Sequence, residues 1–257
     1  MAHRALPFVQ RQVIRRPPCA TIQVESVSVF PPVSLDMQTQ LATPPPRRPQ
    51  SIGEEIANSV THGLGALLSV AGLVVLLIAA SFRGAAWHIV SCAVFGASLI
   101  LLYTSSTLYH ALAPNRAKRV FKVLDHASIY ILIAGTYTPF TLVTLHGPWG
   151  WTLFAVVWSL AVLGIVFKSF GAGRLPFLST AVYILMGWCV VFALRPLLAA
   201  LPWTGFLWLL AGGIFYTAGV AFFALRRRYA HSVWHLFVLA GSVCHYVAVY
   251  RFVIPTG

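Results

Sequence analysis

From about residue 60 onward the chain alternates long apolar runs with short polar breaks. A helix rising 1.5 Å per residue needs about 20 mostly apolar residues to cross a hydrocarbon core of roughly 30 Å. Runs of that length fall at 60–80, 87–109, 124–145, 150–168, 177–194, 204–224 and 232–254. The breaks carry the expected interrupters: Arg83-Gly84, Pro114-Asn115, Gly147-Pro148, the stretch 171–176, Arg195-Pro196 and Arg226-Arg227-Arg228. The runs are apolar on nearly every side, as a lipid-facing helix must be. Trp87, Trp149, Trp151 and Trp203 sit at run ends, where an amphipathic indole suits the membrane interface. The pattern predicts an all-α membrane protein, a bundle of seven transmembrane helices.

Composition sharpens this picture. Of 257 residues, 58% are hydrophobic and 9% charged. A soluble domain carries about 25% charged residues to cover its surface, so lipid must stand in for water here. The net charge of +13 does not indicate a nucleic-acid partner, because the bases lie in short clusters between apolar runs. Cys19, Cys92, Cys189 and Cys244 show no paired spacing, so neither a disulfide framework nor a Cys-based metal site is expected.

Residues 1–50 differ in kind. They hold Pro17-Pro18, Pro31-Pro32, Pro44-Pro45-Pro46 and six arginines, with no sustained apolar period. They are expected to form a disordered tail ahead of a membrane domain at 51–257. The acid-free, Arg-bearing first 24 residues loosely resemble a transit peptide. A cytoplasmic tail or an over-long start are the plainer readings. No cleavable signal peptide is expected, because the first apolar run begins near Val60.

Seven spans divide the 18 Lys and Arg unevenly. Fifteen fall on the side of the N-terminus, and only Arg83, Arg195 and Arg251 on the other. Cytoplasmic loops are the basic ones, so the N-terminus is expected in the cytoplasm and the C-terminus outside.

Ionisable residues in a membrane segment are costly and mark function. Glu54, Glu55, Asn58 and His62 open the first run, Ser106 and His110 close the second, Asp125 and His126 open the third, and His231 and His235 open the seventh. All lie at the expected cytoplasmic end, a face chosen from Lys and Arg alone. His231 and His235 are one helical turn apart and can reach one metal ion. With His110 they would form a three-nitrogen zinc site whose fourth position is open to water, the catalytic pattern. Zinc would lower the pKa of that water to about 7, and Asp125 is placed to accept its proton. The plainer alternatives are interface histidines at His88 and His146, a structural His126 that points away from Asp125, and a buried structural His245. His245 lies about 15 Å along the helix from His235, too far to share the ion.

At these residues the chain resembles the hemolysin III family, within the superfamily of progestin and adiponectin receptors. The matching segments are Glu55-Ile-Ala-Asn58-Ser-Val-Thr-His62, Ser106-Thr-Leu-Tyr-His110, Leu124-Asp125-His-Ala-Ser-Ile-Tyr-Ile-Leu-Ile-Ala-Gly-Thr-Tyr-Thr-Pro139 and His231-Ser-Val-Trp-His235. The resemblance implies seven spans and zinc on His110, His231 and His235. It also implies that Asp125 contacts a zinc-bound water and that Ser106 belongs to the site. Grouping with alkaline ceramidases implies intramembrane hydrolysis of a lipid amide or ester, with Asp125 and Ser106 catalytic and Glu55, Asn58 and His62 in support. Membrane lipids are then the partners and a lipid the substrate. A receptor with structural zinc and a pore-forming cytolysin are the alternatives. The pore reading is the weaker, because no span carries a polar face through the bilayer.

Overall fold

The computed structural model describes residues 48–170 and 176–255. The expected tail therefore lies, through residue 47, outside the described residues. Among those described there are eight α-helices and no strand: α1 (Ile52–Arg83), α2 (Ala86–Ala111), α3 (Arg116–Pro139), α4 (Pro148–Phe170), α5 (Pro176–Trp188), α6 (Leu194–Ala200), α7 (Trp203–Ala224) and α8 (Ala230–Ala248). They make seven spans long and apolar enough to cross a membrane, α5 and α6 sharing the fifth. The chain is a multi-pass membrane protein.

Two spans start earlier than the apolar runs predict, and both differences position polar residues. α1 begins at Ile52 because Ser51 and Glu54 form a reciprocal capping box. Its 32 residues are about 48 Å long, well over a hydrocarbon thickness, so its polar first turns stand proud of the apolar part. α3 begins at Arg116, capped by the Asn115 side chain on the Lys118 N–H. Its charged first turns continue straight into the apolar stretch, which places Asp125 within a continuous helix instead of at its mouth.

The fifth span corrects a predicted boundary. Arg195-Pro196 does not end it. A 3-10 turn at Cys189–Ala193 interrupts the helix, and α6 then carries both residues. Pro196 is tolerated because it sits in the first turn of α6, where backbone N–H groups have no helical partner. The chain turns at Leu201-Pro202 instead.

α3 is central: 72% of its most apolar 18-residue stretch is buried, against 11% for that of α7. The first and last spans meet, so α8 lies against both α1 and α7. Ser242 on α8 accepts from Tyr103 of α2 at 2.7 Å and bonds Tyr216 of α7 at 2.7 Å. Gly212 allows α7 to press onto the ring of His245, where a Cβ would collide with it. His245 Nε2 bonds the Leu209 carbonyl at 3.1 Å, so this histidine ties α8 to α7. Trp87, Trp149, Trp151 and Trp203 are exposed at the starts of α2, α4 and α7, the end opposite the polar cluster.

Candidate metal centre

Three helix ends deliver the polar cluster: the start of α1, the end of α2 and the start of α8. His110 is the penultimate residue of α2 and His231 the second of α8. The helical repeat puts His235 one turn below His231, and their ring centroids are 4.6 Å apart. His110 lies 5.2 Å from each. One nitrogen from each of the three falls within 4.8 Å of the others. That spacing is a small side-chain rotation from the roughly 3.4 Å separating two nitrogens on one tetrahedral zinc.

The neighbours determine which nitrogens are available. His110 Nδ1 is 2.6 Å from Glu55 Oε2 and 3.4 Å from Asn58 Nδ2. The shorter contact is to an acceptor, so the proton resides on Nδ1 and points at Glu55. His235 Nδ1 faces the Asn58 carbonyl at 3.3 Å and Thr61 Oγ1 at 3.4 Å. Its proton is also drawn to Nδ1. In both rings Nε2 is then a lone pair, and in both it is buried without a hydrogen-bond partner among the described residues. A buried imidazole lone pair with no donor is costly in apolar surroundings, and a cation bound there would relieve it. The donor set therefore fits a metal ion such as zinc. His110 and His235 are buried while His231 is partly buried, so His231 is on the more accessible side of the cluster.

Behind the ligand set is a chain of supports. Lys118 Nζ holds the other Glu55 oxygen at 2.9 Å. Asn58 accepts from Ser232 Oγ at 2.6 Å and donates to Gln50 Oε1 at 3.0 Å. His62 is not a hydrogen-bonding support. Its ring stacks on His235 at 3.5 Å, nearly parallel, and stands edge-on to Tyr103; neither of its nitrogens has a hydrogen bond among the described residues.

Asp125 and Ser106 are buried together, Ser106 lying one helical turn from His110. The Ser106 hydroxyl lies against the Asp125 carboxylate without a well-formed hydrogen bond. Asp125 does not join the three-nitrogen group. His126 does not point away from Asp125 as expected: its Nδ1 bonds the Lys122 carbonyl at 2.7 Å and stands 3.7 Å from Asp125 Oδ2.

Glu54, which the sequence placed at the polar end without a role, completes the frame. Glu54 is 4% exposed and accepts five hydrogen bonds: two from Arg48 at 3.0 and 2.6 Å, two from Ser51 at 2.9 Å, and one from the Tyr229 N–H at 3.0 Å. Tyr229 has φ +57°, a left-handed conformation costing on the order of 1–3 kcal/mol for a bulky residue. Glu54 holds it there, immediately before α8, and so fixes where His231 enters the site. Only the buried acid in the first turn of α1 could have flagged this role.

Comparison with known proteins settles the family. The family described as "Haemolysin-III related" matches residues 50–246. The chain belongs to the haemolysin III family. It is 48% identical over 211 residues to "Hemolysin-3" of Bacillus cereus, covering 82% of this chain and 96% of that protein. It is 49% identical over 200 residues to the "Hemolysin-3 homolog" of Bacillus subtilis (strain 168), covering 77% and 94%. A more distant relative is human "Monocyte to macrophage differentiation factor", 25% identical over 206 residues, 77% of this chain and 84% of that one. No solved structure matches. Every residue of the haemolysin III site described above from Gln50 to His235 lies within the family match; Arg48 falls two residues outside it.

Proposed function

We propose that this haemolysin III protein is a zinc-dependent intramembrane hydrolase of lipid amides or esters, acting at the cytoplasmic face. One observation carries the metal reading. His110 and His235 each engage Nδ1 with a fixed acceptor and leave Nε2 buried and unpartnered beside His231. Carboxylate-backed histidine is the arrangement that orients an imidazole towards a metal and raises its basicity.

Bound zinc supplies a Lewis acid that polarises a carbonyl and makes water nucleophilic near neutral pH. The protein's own groups supply the rest. Glu55 and the Asn58 carbonyl fix the tautomers of His110 and His235. Asp125 accepts the proton of the attacking water as its oxygen adds to the acyl carbon. Asp125 then returns that proton to the leaving amine or alcohol as the C–N or C–O bond breaks, releasing a fatty acid. Ser106 donates to the carbonyl oxygen while negative charge develops on it. The partly buried His231 marks the side from which a lipid linkage, lying at headgroup depth, would reach these groups.

The same ligands also suit a structural ion in a receptor, because they fasten the end of α2 to the start of α8. Two measurements on purified protein decide. Elemental analysis of wild type and His231→Ala tests for the metal: about one zinc per chain in the first and little in the second is expected. Turnover of ceramides, phospholipids and acyl amides by the zinc-loaded protein tests the chemistry. A zinc-replete protein inert across that panel belongs to the structural reading, and a wild type without zinc overturns both.

A further inference from the structure

Beside the histidine cluster, at the turn between α2 and α3, is a cavity of about 290 Å³ lined by Tyr109, Pro114, Asn115, Lys118, Arg119 and Lys122. It is many times the space one water needs. Its lining holds three cations and no acid. Glu55 offsets Lys118 alone, at 2.9 Å. Among the described residues neither Arg119 nor Lys122 forms an ion pair. They are exposed, and Lys122 is one helical turn from both Lys118 and Arg119, because residues three and four apart are neighbours.

The depth of this cavity selects its occupant. The α3 span has 29 residues, about 44 Å, some 14 Å more than a hydrocarbon core. The excess is at the charged start, where Lys118, Arg119 and Lys122 precede the apolar run opening at Leu124. These cations therefore stand at the level of lipid phosphates. Lys118 Nζ also lies 5.1 Å over the Tyr109 ring, which keeps one ammonium at the cavity wall.

We infer that this cavity is a binding site for a phosphate group, presented by an anionic lipid headgroup, with Arg119 and Lys122 as its principal contacts and Lys118 shared with Glu55. Basic pockets between membrane helices recognise anionic headgroups in this way. The site is separate from the histidine cluster and does not depend on its metal or chemistry. It abuts the cluster through Lys118, Glu55 and His110.

The test uses the full-length protein extracted from vesicles of equal phosphatidylglycerol and phosphatidylcholine, with retained lipid quantified by mass spectrometry. Wild type is expected to retain phosphatidylglycerol about tenfold over phosphatidylcholine. The double variant Arg119→Gln/Lys122→Gln loses that preference. Arg227→Gln/Arg228→Gln, which removes the same charge from the same end outside the cavity, keeps it. Arg119→Lys/Lys122→Arg keeps it too, and separates charge from folding. If millimolar inorganic phosphate displaces the retained lipid, the phosphate site stands and free phosphate is a competing ligand. Equal retention of the two lipids by wild type, or equal loss in both Gln pairs, overturns the proposal.

Discussion

Glu55 Oε2 lies 2.6 Å from His110 Nδ1, joining the first span to the end of the second. That contact fixes which His110 nitrogen is free, and Lys118 steadies the carboxylate from its other side. Glu55→Gln retains the shape and removes the charge. The expected result is a folded protein whose zinc affinity falls about 10–100-fold, the usual effect of losing a carboxylate behind a ligating histidine. Competition against a graded series of chelators measures it, and unchanged affinity would separate Glu55 from the site.

Asp125 lies outside the three-nitrogen group and beside Ser106. Asp125→Asn is therefore expected to keep its zinc while hydrolysis falls about 10²–10⁴-fold, the contribution of a positioned proton carrier. Zinc content and turnover must be read on the same preparation. Loss of zinc together with fold would assign Asp125 to the scaffold.

Glu54→Ala removes the acceptor of five hydrogen bonds. Arg48 is well exposed and rehydrates, so the cost is mainly the Tyr229 N–H and the lost cap of α1. A destabilisation of about 1–3 kcal/mol is expected. Thermal unfolding of detergent-solubilised protein reports it. Because Tyr229 directly precedes α8, zinc affinity should fall in the same variant.

Gly212→Ala places a methyl group in the ring of His245. Overpacking of this kind costs about 1–3 kcal/mol. Pairing it with His245→Ala vacates the space, so the double variant should be more stable than the sum of the two single changes predicts. Strict additivity in the thermal unfolding cycle would show that the two positions do not touch.

The seven spans were legible because apolar length alone specifies them. Their boundaries were less so. The Ser51–Glu54 cap and the charged start of α3 extend helices past the apolar runs, and hydropathy is silent on polar helical turns. The His231–His235 pair was legible because i, i+4 spacing is local. Its meeting with His110 could be anticipated only by assigning each helix end to a membrane face. What could not be read is tertiary: Tyr229 in a left-handed conformation accepted by Glu54, Ser232 holding Asn58, and a 3-10 turn carrying the fifth span past Pro196. Each depends on a partner distant in sequence.

The first and last spans pack side by side, and the three histidines come from opposite ends of the domain. During synthesis α2 enters the membrane long before α8 exists. His110 therefore waits, already held by Glu55, until the final helix arrives with the other two imidazoles. A chain that stops short, or whose last span fails to insert, has one ligand and cannot retain an ion by chelation. Retention of the proposed ion would thus report on completed biogenesis.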